Sequence, residues 1–172
     1  MKVKNLVFIA ICTILFSACK DNSQKTNSDN NDGDPITYFK DDDKAMNDAI
    51  EKAVNTFDQF EKAFVESQKD GKYDGFTIKM GFPTKDGSKE HMWLSDLTFD
   101  GKQFSGILAN QPAMEVDVKY GSKVVVKKDM ISDWMYFDAD NKVYGGYTMR
   151  VMRDAMSPEE RALFDEQTGF VF

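Results

Sequence analysis

The sequence predicts an α+β fold in one domain over residues 35–172. It consists of an N-terminal amphipathic helix, a bent antiparallel sheet of five to six strands, and a short C-terminal helix. Three observations carry this reading. Apolar residues recur at three- and four-residue spacing from Met46 to Phe64. From Phe76 the apolar period changes to two. Near the end, Ser157-Pro158-Glu159-Glu160 sets out a helix start, with Ser at the N-cap, Pro at the first helical position and Glu at the third.

In the first helix, Met46, Ala49, Ile50, Ala53, Phe57, Phe60 and Phe64 form one apolar stripe. Asp41 to Asp43 supply an N-cap and favour the positive end of the helix dipole. Thr56 and Gln59 have the spacing of a capping box, which places a break near Asn55–Asp58. "FTIKMGF" puts Phe76, Ile78, Met80 and Phe82 on one strand face, and "PTKDG" turns the chain. In "KEHMWLSDLTFDG", Met92 and Leu94 share a phase that Leu97 and Phe99 do not, so a bulge or bend is expected at Ser95–Asp96. Asp100-Gly101 reads as a two-residue hairpin turn into "QFSGILA". "QPAMEVDV", "YGSKVVVK", "ISDWMYF" and "KVYGGYTMRVM" read as further strands. The helix "PEERALFDEQ" closes at Gly169.

Residues 1–18 read as a lipoprotein signal peptide. Lys2 and Lys4 precede "LVFIAICTILF", an apolar run of 11 that is too short to span a bilayer as a mature helix. "LFSAC" looks like a lipobox, with Phe16 where leucine is usual. Cys19 is therefore expected to be lipidated and to tether the protein to a membrane of the bacterial cell envelope, on its periplasmic or surface side. Acyl chains contribute about 0.8 kcal/mol per buried CH2. The competing reading is an ordinary signal peptide with an incidental cysteine. Residues 19–34 contain no apolar side chain after Cys19 and are expected to form a disordered tether.

Cys12 leaves with the signal and Cys19 carries the lipid, so no thiol remains for a disulfide or a metal. With a single histidine and no cysteine, zinc ligands are lacking, and no EF-hand-like loop offers a calcium site. No metal and no cofactor is expected. Removing Lys2 and Lys4 takes the formal charge from −7 to −9. That balance argues against nucleic acid, which needs clustered Lys and Arg, and against a polybasic membrane surface.

"IKMGFP", "EHMWLSDLTFDGKQFSGILANQP", "KDMISDWMYFDADNKVYGGYTMRVMRDAMSPEERALF" and the terminal "GF" resemble the bacterial family catalogued as domain of unknown function 2314. "DDDKAMNDAIEKA" resembles that family's opening helix, so the likeness runs from about Ile36 to Phe172. The resemblance implies a small domain, secreted or lipid-anchored in some members. It implies no established reaction, substrate or cofactor, and it carries over no catalytic residue.

The candidate site residues are His91, Trp93, Asp96, Asp133 and Trp134. His91 with Asp96 or Asp133 has the residue types of a carboxylate-oriented base, for which Ser95 or Ser132 would be the nucleophile of a hydrolase. The competing reading has the two Ser-Asp pairs holding bends through nearby amides. Trp93, Trp134, Tyr136, Tyr144 and Tyr147 are of the type that lines a groove for a glycan or a peptide. His91 and Trp93 alternate with Met92 and Leu94, so they point away from the main apolar face, either as an exposed patch or packed under a helix. Arg150 and Arg153, on the last strand and its end, are expected to pair with acidic side chains, with binding of a ligand carboxylate as the lesser reading. No serine elbow or phosphate loop is present. The leading functional reading is a non-enzymatic, lipid-anchored binding module with a protein or glycan partner. The alternatives are an immunity-type protein that binds a toxin, and the hydrolase.

Overall fold

The computed structural model describes residues 43–172; the expected signal peptide, Cys19, the tether and the domain's first residues lie outside the described residues. The described part is α+β, with four helices on one open antiparallel sheet of six strands. α1 spans Lys44–Asn55 and α2 spans Phe57–Asp70. The Asp43 carboxylate accepts from the Met46 amide at 2.9 Å and starts α1. The break falls at Thr56 as the spacing predicts, but no capping box forms there. The Thr56 hydroxyl instead donates back to the Lys52 carbonyl at 2.7 Å.

The strands are β1 (Asp74–Pro83), β2 (Lys89–Phe99), β3 (Phe104–Leu108), β4 (Lys123–Val125), β5 (Ile131–Phe137) and β6 (Val143–Gly145). Their order is β4-β3-β2-β1-β5-β6, so β1 is central and pairs with β2 and β5. The phase slip in β2 is a true irregularity. Pairing with β3 shifts between Ser95 and Thr98, and Asp96 takes φ 47°.

Alternation sorts the sheet into two faces, and both are covered. Ile78, Met80, Phe82, Met92, Leu94, Trp134 and Tyr136 pack with Ala53, Phe57, Phe60, Ala63 and Phe64 of the first two helices. On the other face, Trp93, Met135, Phe137 and Val143 pack with Met149, Phe170 and Phe172. The second layer comes from α3 (Tyr147–Asp154), α4 (Pro158–Thr168) and the C-terminal residues.

Three local expectations are corrected. "KVYGGYTMRVM" is not one strand, because β6 ends at Gly145 and Tyr147 opens α3. Gly145 and Gly146 take φ 73° and 61°, which turns the chain out of the sheet before the β-prone residues can extend it. "QPAMEVDV" forms no strand. Pro112 lacks an amide donor, and the Glu90 carboxylate takes up the amides of Ala113 and Met114 at 2.7 and 3.0 Å. The Asp100-Gly101 turn is a longer loop, in which Asp100 accepts from the amides of Lys102 and Gln103. α4 forms as expected, with the Ser157–Glu160 capping box, Pro158 at its start and Gly169 left-handed at its end.

Gly145 has no room for a side chain. A Cβ there would overlap the carbonyl and ring of Trp134 in a left-handed backbone. Gly145→Ala is expected to cost about 3 kcal/mol or more. Gly71→Ala, at φ 64° with nothing within 4 Å, is expected to cost about 1–2 kcal/mol. Urea unfolding of the two variants measures the difference.

Candidate functional site

Asp133 is fully buried, on the second face of β5. Its Oδ1 accepts from the Trp134 and Tyr147 amides at 2.8 and 3.0 Å. Its Oδ2 accepts from the Thr148 amide at 2.8 Å and the Thr148 hydroxyl at 2.6 Å. Gly146 occupies the N-cap of α3 and has no side chain to cap it, so the carboxylate from the neighbouring strand does so and faces the positive end of the helix dipole. Lys79 pairs with both Asp133 and Trp93 across the sheet. Its ammonium donates to the Thr148 hydroxyl at 3.3 Å and lies 5.4 Å from the Trp93 ring centroid. Lysine and aspartate thus communicate through one threonine hydroxyl. Burial pushes the Asp133 carboxyl up, against its donors and Lys79. Burial pushes the Lys79 ammonium down, against the pull of Asp133.

Of the nominated residues, Trp93 and Trp134 are 7% and 1% exposed. The exposed His91–Trp93 patch is therefore not what forms. Trp93 does point away from the main core, but Met149 of α3 and the C-terminal phenylalanines Phe170 and Phe172 build a second core with it. His91 is exposed and lies against Gly81. It shares a cleft of 420 Å³ with Ser132 and Asp129, between α1 and the β1–β2 turn. The Ser132 hydroxyl is buried with no hydrogen-bond partner, so no bond links it to His91. Asp96 is exposed at the bulge, where its carboxylate accepts from Ser95 at 3.3 Å. Asp133 is engaged by α3. The nucleophile, base and carboxylate of a hydrolase are not assembled from these residues. Of the two Ser-Asp pairs, Asp133 bonds nearby amides as the simpler reading expects, whereas the Asp96 carboxylate takes the Ser95 hydroxyl and the Ser132 hydroxyl has no partner. Arg153, on α3 rather than on a strand, pairs with Asp165 through two bonds of 2.7 and 2.5 Å.

The aromatic residues do gather. Trp134, Tyr136, Tyr144 and Tyr147 line a cleft of 370 Å³ with Lys52, Gln59, Val143, Gly145 and Arg150. Trp134 and Tyr136 stack at 5.8 Å and 12°, and Tyr136 and Tyr144 at 5.0 Å and 7°. Tyr147 meets Trp134 edge-on at 5.6 Å. The indole donates to the Ala53 carbonyl at 2.9 Å, which ties the cleft floor to α1. The Tyr147 and Thr56 hydroxyls lie 3.2 Å apart and tie its wall to the α1–α2 break. Desolvation pushes the Tyr136 phenol up to about 12. Arg150 fixes its guanidinium on the carbonyls of Gly145 and Val143 at 3.1 and 2.8 Å.

With this geometry in place, residues 43–172 match a bacterial family described as an uncharacterized protein conserved in bacteria, domain of unknown function 2314. The chain belongs to this family. Family 2314 relatives include the uncharacterized protein YegJ of Escherichia coli, 42% identical over 108 residues, which cover 63% of this chain and 67% of that protein. A putative ankyrin repeat protein of Neisseria meningitidis serogroup B is 37% identical over 147 residues. That alignment covers 81% of this chain but only 57% of the Neisseria protein. No solved structure matches.

Sequence reading missed Lys79, Thr148, Lys52 and Gln59 as site residues, and it gave Arg150 acidic partners where the structure gives it the Gly145 and Val143 carbonyls. The one available signal was Lys79, a lone charge inside the apolar run "FTIKMGF", which alternation puts on the face opposite Ile78 and Met80.

Trp93→Ala is expected to lose about 3–5 kcal/mol, and His91→Ala about 0.5 kcal/mol or less, as read by thermal melting. Asp133→Ala strands the first amides of α3 and leaves Lys79 without its countercharge, and should cost about 3–5 kcal/mol. A carboxyl raised above its unfolded value takes up a proton on folding. Its contribution is therefore complete in acid and is lost as pH rises through the folded pKa. The stability of the wild type relative to Asp133→Asn should fall as pH rises above the ordinary carboxylate value of about 4. Urea melts at stepped pH measure that slope.

Proposed function

We propose that this member of family 2314 is a non-enzymatic binding module, held to a membrane of the bacterial envelope by lipid on Cys19. The observation that supports it is the aromatic cleft. Indole and phenol groups that could each have been buried separately converge on one concavity, with polar side chains at its rim. Cleft volumes for small ligands run from about 300 to 1,000 Å³, and 370 Å³ lies at the lower end. A globular partner needs roughly 800 Å² of matching surface on each side. A thin ligand such as a glycan suits the cleft better than a folded toxin does.

The two tryptophans provide the test. Trp134 lines the cleft and Trp93 lies on the opposite face of the sheet. In a Trp93→Phe variant, Trp134 is the sole tryptophan and can be excited apart from the tyrosines. Titration with a panel of mono- and disaccharides should give a saturable change in its emission, and a flat response across the panel would count against the cleft. Substrate turnover that disappears in His91→Ala would overturn the non-enzymatic reading. For the anchor, Cys19→Ser should leave the protein unprocessed or in the soluble fraction. Wild-type-like membrane fractionation of that variant would reject the lipid.

A further inference from the structure

We infer that the ligand of this cleft is an acidic saccharide. Its sugar ring would rest on the partly exposed Tyr144 and Tyr147, above a floor closed by the buried Trp134 and Tyr136, and its carboxylate or phosphate would meet Lys52 and Arg150. The inference rests on the reading of the cleft as a binding site, and it adds the charge of what binds.

The chain as a whole is acidic, with 29 Asp and Glu against 22 Lys and Arg. The tyrosines of this cluster nevertheless collect cations. Lys52 lies 4.8 Å from the Tyr147 centroid, Lys142 lies 5.8 Å from that of Tyr144, and Lys72 lies 4.9 Å from that of Tyr73. Tyr73 in turn packs on Tyr136 and Tyr144, at 4.9 and 5.3 Å. The carboxylate in contact with these tyrosines is Asp138, which accepts from the Tyr144 hydroxyl at 3.2 Å and from the amides of Asp140 and Lys142. Lys52 and Arg150 line the cleft itself, while Lys72 and Lys142 lie on the neighbouring tyrosines beside the carboxylates of Asp70 and Asp138.

The two cations of the cleft have different characters. Arg150 spends its Nε and one Nη on the Gly145 and Val143 carbonyls. Those bonds fix the guanidinium plane and leave most of its five N–H groups for an anion. Lys52 is exposed at the rim, on a flexible four-carbon stem. A fixed fork and a movable point charge on an aromatic floor suit one anionic group carried on an otherwise uncharged ring. A polyanion such as nucleic acid would meet the acidic remainder of the surface.

The test is a glycan array carrying uronic, muramic and phosphorylated sugars beside their neutral parents, probed with detergent-solubilised full-length protein. Acidic saccharides should be retained at least about tenfold more strongly than the neutral ones, and salt should weaken them. Lys52→Gln should reduce retention about threefold to fivefold, Lys52→Arg should keep most of it, and Tyr147→Ala should abolish it. The carboxylated and phosphorylated spots separate the two sources of the anion. Equal retention of acidic and neutral sugars overturns the charge inference and leaves the cleft a saccharide site. Acidic retention unchanged in both Lys52→Gln and Tyr147→Ala places the ligand elsewhere and overturns it. An array that retains nothing, or a protein that takes up an acidic tetrapeptide in place of any sugar, overturns it together with the saccharide reading.

Discussion

Asp133 reaches from the middle of the sheet to the first turn of α3, and the second layer of the domain depends on that contact. A helix that begins after two glycines has no cap of its own and leaves its first amides bare. One carboxylate supplies the acceptors for the amides of Tyr147 and Thr148. Once α3 is seated, its Arg153 holds Asp165 of α4, and Arg150 and Arg153 both lie over the Phe172 ring at 5.0 and 5.4 Å. Lys79 stands behind Asp133, shares the Thr148 hydroxyl with it and feels its charge. The pair thus keeps two opposite charges in the interior without either one standing alone.

Much of the fold was legible because its signals are local. The helical stripe from Met46 to Phe64, the alternation from Phe76, the slip at Asp96 and the capping box at Ser157 are each fixed by a few neighbouring residues. The failures share a cause, since each needed a partner distant in sequence. Tyr147 to Val151 has strand-prone chemistry, and only the carboxylate 14 positions earlier makes it a helix. Trp93 was correctly assigned to the outer face, yet exposure depends on what lies above that face, and Met149, Phe170 and Phe172 are far along the chain. Alternation tells which side a residue points to and says nothing of whether that side is wet.

The candidate site divides in the same way. The aromatic residue types were visible as a set, and their convergence was not, because Trp134 and Tyr136 come from β5, Tyr144 from β6, Tyr147 from α3 and Lys52 from α1. Trp134 also shows why a cleft can exist beside a dense core. Its indole closes the core on one side and is fixed by Ala53, so the groove has a rigid floor that needs no ligand to form it. The catalytic constellation failed for an equally plain reason. Asp133, one of the two acids the sequence offers for it, is fully occupied in building the fold.

The central position of β1 governs how the chain can assemble. Its partner on one side, β2, follows directly through a short turn, but on the other side Thr77 pairs with Met135, 58 positions later. Closing that loop costs entropy before any contact repays it, so the hairpin forms early and β5 arrives late. Until it does, β1 shows an open, apolar edge of the kind that recruits stray strands. The finished sheet removes that hazard by ending in strands of three residues on both sides, β4 and β6. The period of greatest risk for this molecule is therefore the interval between making the first hairpin and receiving Ile131–Phe137. Any factor that lengthens that interval favours aggregation over folding.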